Sequence, residues 1–167
     1  MATALQNLSE DKLTTFPDIA GKRFGLVVAE WNKNITDALR QGACDTLIKH
    51  GALPEHIRCN RVPGSFELTL GAQFMAQSTD IDAVICLGAV IKGETKHDEY
   101  ICHAVAQGIT SVSLKYNKPV IFGVLTTNTL EQALDRAGGK HGNKGVEAAI
   151  TAIQMLGLQT EFQIFAF

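Results

Sequence analysis

A chain of 167 residues that is 46% hydrophobic has enough apolar mass for one ordinary domain and leaves none for a second. A net charge of −2 sets DNA and RNA binding aside, because no basic excess is present to neutralise many phosphates. No apolar run approaches the roughly 20 residues that span a bilayer, and Met1 to Glu10 lack the basic start and apolar stretch of a secretory signal, so no membrane partner and a cytoplasmic location are expected.

Residues 1 to 21 are polar and weakly patterned and read as an arm ahead of the first strand. Phe24 to Glu30 is an apolar strand, and Ile35, Ala38, Leu39, Gly42, Ala43, Thr46 and Leu47 then share one helical face that ends near Gly51. Ile57 to Val62 is a second, more polar strand suited to a sheet edge; Pro63-Gly64 turns it, and Ser65 is the expected cap of a helix reaching about Gln77. Ala83 to Leu87 is continuously apolar, as in a central parallel strand covered on both faces. The chain turns at Gly93 and from Asp98 to about Tyr116 repeats its apolar residues with a period near 3.6. After Pro119 comes the strand Val120 to Leu125, and Thr129-Leu130-Glu131-Gln132 matches a capping box that opens a helix running to Gly138-Gly139. A last helix carries Val146, Ala149, Ile150 and Ile153 on one face and is expected to stop at Gly157. Four strand-helix steps imply a parallel sheet between two helical layers, an αβα sandwich formed by one domain.

A parallel sheet brings the carboxyl ends of its strands together, and open α/β sheets bind ligands there. That rim would hold Trp31 and Asn32 from the first strand, Ser65, Phe66 and Glu67 from the second, Ala89 to His97 from the third, and Thr126 to Asn128 from the fourth. Taken singly, Trp31 reads as packing, Glu67 as a match to a helix dipole, Thr95 as a cap and His97 as an idle surface group. Together they offer an indole to stack on a flat ring, a carboxylate to grip hydroxyls and an imidazole to move a proton.

Gly88 to Thr95 fails the P-loop pattern, which needs Lys and then Ser or Thr directly after the second glycine, and no Gly-x-Gly-x-x-Gly fingerprint is present. The Thr95 hydroxyl, Lys92, Lys96 and the amides of a helix start suit one small phosphate instead. Cys44, Cys59, Cys86 and Cys102 are too scattered for a zinc or redox motif and read as reduced packing residues.

On Glu30-Trp31-Asn32, Val62 to Glu67, Leu87 to His97, Phe122 to Thr127 and Glu131 to Gly145, the chain resembles the 6,7-dimethyl-8-ribityllumazine synthase family of riboflavin biosynthesis, from about Phe24 to Leu158. Residues 159 to 167, an apolar tail, fall outside the resemblance and would need burial by assembly. The resemblance implies a flavodoxin-like α/β fold with strand order 2-1-3-4. It also implies a transferase that joins 5-amino-6-(D-ribitylamino)uracil to 3,4-dihydroxy-2-butanone 4-phosphate, with no metal and no organic cofactor. Residue by residue it makes His97 the proton donor and acceptor. Trp31, Asn32, Ser65, Phe66, Glu67, Ala89, Val90, Ile91 and Phe122 become the pyrimidine and ribityl site, and Glu94, Thr95, Arg136 and Lys144 the phosphate site. Trp31 stands where many relatives carry phenylalanine, and Ala89 and Lys92 where threonine and arginine are common.

Phe122 lies early in its strand and Arg136 on the following helix, so neither is expected to reach its own rim, and a neighbouring subunit would supply both. The resemblance accordingly implies a homo-pentamer with sites between subunits. Its compact Gly138 to Gly145 link further implies a sixty-subunit icosahedral shell, with riboflavin synthase as a further partner. Two rival readings are a flavodoxin-like protein that holds a flavin or pterin without turning it over, and a non-catalytic shell protein.

Overall fold

A computed structural model describes residues 16 to 164, the side chains of 163 and 164 apart. Four strands, β1 (Phe24–Ala29), β2 (Ile57–Val62), β3 (Ala83–Ile91) and β4 (Val120–Thr127), form one parallel sheet in the order β2-β1-β3-β4. Between and after them lie α1 (Lys33–Lys49), α2 (Leu68–Gln77), α3 (His97–Tyr116), α4 (Leu130–Leu134) and α5 (Lys144–Ile164). The central position of β1 explains its composition: all six residues are buried. Phe24, Leu26 and Val28 enter one core with α1 and α5, while Val27 and Ala29 enter the other with α2 and α3. Alternation therefore sorts side chains between two apolar layers rather than between core and water, which is why β1 and β3 read as unbroken apolar runs. The more polar β2 lies at the sheet edge, as its sequence indicates.

Several boundaries differ from the sequence expectation, each for a tertiary reason. The third strand continues from Leu87 to Ile91, because Gly88 to Ile91 pair with Val124 to Thr127 of an equally extended β4. Ser65 does not cap α2: the helix begins at Leu68, with Glu67 at the cap position and no side-chain cap bond. Thr129 does cap α4, its hydroxyl accepting from the Gln132 amide at 3.3 Å, while the Gln132 side chain accepts from the Asn128 amide at 2.9 Å.

The helix expected to run to Gly138 ends at Leu134. Ala137–Gly139 (β5) instead folds back antiparallel on Gly142–Asn143 (β6), with Gly138 and Gly142 at φ 119° and 75°, values that favour glycine. The last helix does not stop at Gly157. A Cβ there would stand 2.3 Å from Pro17 Cγ, so this glycine serves a close approach between the arm and a continuing α5.

That contact also revises the arm. Ile19 is fully buried, and the Phe16 ring lies 4.1 Å from the His50 ring, so the described end of the arm belongs to the core of its own chain. Residues 1 to 15, like 165 to 167 of the apolar tail, lie outside the described residues. Phe162, at the described end of the tail, is exposed. Among the described residues no helix is long and apolar enough to cross a membrane.

Candidate active site

The rim is organised by the turn from β1 into α1. The Glu30 amide donates to the Val62 carbonyl at 2.8 Å and the Trp31 amide to the Pro63 carbonyl at 3.1 Å, tying this turn to the end of β2. Trp31 is 73% exposed, so its indole stands free beside the rim. Asn32 adopts φ 59° and ψ 48°, and its backbone carbonyl accepts from the Ile35 and Thr36 amides. Its side-chain NH₂ donates to the Ala89 carbonyl at 3.0 Å. The amide group expected to meet substrate is thus engaged within the protein.

The end of β3 lies beside this turn, joined to it by that bond. In a parallel ladder both backbone polar groups of one residue face the same neighbour. The Val84 and Lys92 amides donate to Pro119 and Thr127 carbonyls, so even-numbered residues of β3 face β4. Ala89 and Ile91 therefore face the other way, into the space beyond the last residue of β1, while Val90 is turned toward β4. Of the three residues expected to contact a heterocycle through their backbones, two face the gap, and the Ala89 carbonyl is already taken by Asn32.

Ser65 is buried against Gly88, where a Cβ would stand 2.7 Å from Ser65 Oγ and 2.9 Å from Leu68 Cδ1. Its hydroxyl has no hydrogen-bond partner among the described residues. Phe66 and Glu67 are exposed, the Glu67 carboxylate lying back over the Pro63-Gly64 turn.

The loop from Lys92 to Lys96 is exposed throughout, and His97, the first residue of α3, is exposed with it. Thr95 Oγ1 accepts from the His97 amide at 3.4 Å, leaving its O–H to donate outward. Asp98 and Glu99 occupy the first turn of α3 and oppose an anion directly over the helix end. Lys92, Thr95 and Lys96 place favourable groups on the loop side instead.

Three expected site residues are not brought to this rim. Phe122 pairs in register with Cys86 and lies five residues short of Thr127, about 16 Å down the strand. It is 38% exposed on β4, which has no strand on its outer side among the described residues. Arg136 is not helical as expected but sits in the turn between α4 and β5, its Nη1 donating to the Gln132 carbonyl at 3.0 Å. The flanking Ala133 and Ala137 pack in the α1 and α5 layer, whereas α3, which begins with His97, packs in the other. Lys144 is held by Glu147, Nζ to Oε2 2.7 Å, so its charge is partly neutralised inside its own helix.

Sequence reasoning missed the bracing role of Asn32 and the space Gly88 makes for Ser65. A left-handed Asn at a strand-to-helix turn is a recognisable candidate, but its partner 57 residues away is not. A cavity of about 440 Å³ runs along β2 and α2 between Arg58, Asn60, Leu70 and Phe74, and shares only Glu67 and Val62 with the rim.

No described thiol is suited to nucleophilic work. Burial pushes the Cys86 thiol up to about 12 and raises those of Cys44, Cys59 and Cys102, so all four stay protonated near neutral pH. No three His, Cys, Asp or Glu side chains cluster as metal ligands among the described residues.

Residues 21–160 match the family model described as 6,7-dimethyl-8-ribityllumazine synthase. The chain is 58% identical to the 6,7-dimethyl-8-ribityllumazine synthases of Parabacteroides distasonis and Cytophaga hutchinsonii, each over 156 residues that cover 93% of this chain and 98% of the relative. It is 48% identical to that of Christiangramia forsetii over 166 residues, 99% of both chains.

Proposed function

The chain belongs to the 6,7-dimethyl-8-ribityllumazine synthase family, and on that premise we propose how its own residues divide the family's reaction. The enzyme condenses 5-amino-6-(D-ribitylamino)uracil with 3,4-dihydroxy-2-butanone 4-phosphate, releasing phosphate and water. The amine adds to the ketone and loses water to give an imine, phosphate is eliminated to leave an enol that tautomerises to a carbonyl, and the second nitrogen attacks that carbonyl and closes the ring with loss of a second water. Each step moves protons and forms or breaks bonds between two held reactants, so positioning and acid-base help are the protein's contribution.

The observation that carries this reading is the Asn32 bond to the Ala89 carbonyl, which brings the turn bearing the exposed Trp31 to the end of β3 and so frames a slot there. The indole supplies a face for the pyrimidine. The Ile91 N–H and C=O, turned into the same gap, offer one donor and one acceptor to a uracil edge, which carries one of each. Phe66 and Glu67 border the space that a ribityl arm would follow, with the Glu67 carboxylate accepting from its hydroxyls. His97, the exposed first residue of α3, directly follows the loop, and its imidazole would take a proton from the attacking amine and return one to the departing oxygen. Lys92, Thr95 and Lys96 present cations and a hydroxyl to the phosphate from the loop side. Glu94, in the same loop, aligns with the family's phosphate pair but adds a negative charge, which restricts its contact to a backbone amide.

One chain does not bring Phe122, Arg136 and Lys144 to this slot, and the reading assigns them to the slot of a neighbouring copy. The outer side of β4, unpaired by any strand among the described residues, and the exposed Phe122, Tyr100 and Leu114 support an oligomer that buries them. The short β5-β6 hairpin supports a pentamer assembling further into a shell, since it projects no long insertion between α4 and α5. Light scattering of purified protein is expected to show the shell; free pentamers alone would limit assembly to the ring. Four free cysteines suit a reducing compartment and support a cytoplasmic location.

The function is tested by mixing the two substrates with the assembled protein. The lumazine chromophore and inorganic phosphate are expected in equal amounts, and their absence would overturn the reading.

A further inference from the structure

Asn32 is held at three points. Its side chain donates to the Ala89 carbonyl at 3.0 Å, its own carbonyl accepts from Ile35 and Thr36, and its backbone is left-handed at φ 59°. Trp31, one residue earlier, is fixed from the other side by the hydrogen bond its backbone N–H donates to the Pro63 carbonyl. The ring of Trp31 is thus carried on a turn anchored to the end of β2 on one flank and to the end of β3 on the other.

We infer that Asn32 is a positioning residue for ring binding: by holding the Ala89 carbonyl it sets the gap between the Trp31 indole and the backbone of β3. This rests on the reading of Trp31 as the stacking face. The position makes two demands, a tolerance of the left-handed region and a short side-chain N–H donor. Glycine meets the first alone, aspartate meets the first but presents only acceptors to a carbonyl, and asparagine meets both. The bond has a second consequence. It occupies the Ala89 carbonyl, so the incoming edge has the Ile91 pair to bind and a single register in which to bind it.

Trp31 is the chain's single tryptophan, so emission excited at the red edge, where the two tyrosines scarcely absorb, reports on this ring alone. The experiment titrates 5-amino-6-(D-ribitylamino)uracil into the assembled full-length protein and into Asn32→Gly and Asn32→Asp, both of which keep the left-handed turn accessible. Wild-type emission is expected to be quenched. Dissociation constants in the variants are expected to rise about tenfold, the loss of one partly buried hydrogen bond, with Asp weaker than Gly. KM for the pyrimidine should rise while KM for the phosphate substrate holds. In ligand-free variants Trp31 anisotropy should fall, which direct contact between Asn32 and substrate would not produce.

Quenching with equal affinity in all three proteins would overturn the inference and leave the stacking reading intact. A parallel loss of affinity for both substrates would overturn it too, as a general structural defect. No quenching in wild type would overturn the stacking reading and this inference together.

Discussion

Gly88→Ala places a methyl group beneath the slot, and the structure says what it meets. The new Cβ would stand 2.7 Å from Ser65 Oγ and 2.9 Å from Leu68 Cδ1, well inside ordinary contact. Overpacking of this kind costs about 1–3 kcal/mol, from which the lower chain entropy of alanine returns about 0.4–1 kcal/mol. Ser65→Ala removes the nearer of the two obstacles. It also removes a buried hydroxyl that has no partner among the described residues, so the single variant is expected to be neutral or up to about 1 kcal/mol more stable.

The double variant should therefore regain about 1 kcal/mol relative to the sum of the singles, a shift of about 2–4 °C in Tm for a chain of this length. Thermal unfolding at one fixed protein concentration, so that subunit association contributes equally, measures it. Gly88→Ala should also raise KM for the pyrimidine by displacing the turn that leads to Glu67, and the double variant should restore it. Additivity within about 0.5 kcal/mol would show that residues 65 and 88 do not compete for this space, and would refute the packing account.

His97→Asn should slow turnover about 10²- to 10⁴-fold with little change in pyrimidine affinity, measured by stopped-flow absorbance and Trp31 emission; an unchanged rate would remove His97 from the chemistry. Arg136→Ala should raise KM for the phosphate substrate with the pyrimidine KM unaltered, read from initial rates against each substrate. Arg61 hydrogen-bonds Asp37 and holds its carboxyl below the usual range. A carboxyl depressed by folding adds stability above its unfolded value of about 3.9 and loses it as pH falls through the folded value. Asp37→Asn should therefore cost less than about 1 kcal/mol near pH 7, since this bridge is at the surface, and progressively less as the pH falls into the acid range, by denaturant titration. Cys86, buried with its thiol pushed up to about 12, should resist iodoacetamide at pH 8 until the protein unfolds, as read by mass spectrometry.

Local rules made much of this protein legible in its sequence. The unbroken apolar runs of β1 and β3, the polar β2 and the Thr129 cap depend on burial pattern and short-range bonding, and a one-dimensional string carries both. Parallel connectivity then placed Trp31, Ser65 to Glu67 and the β3 loop at one rim, because strands running the same way must end on the same side. What only the tertiary structure decided were contacts between residues far apart in the chain. Gly157 reads as a helix stop but serves the approach of Pro17, and Ser65 reads as a cap but fills the space over Gly88. Asn32 reads as a substrate contact, and folding also gives its side-chain NH₂ the Ala89 carbonyl to brace. In each case the residue type states what a side chain can do, while the neighbour that folding brings to it decides which of those things it does.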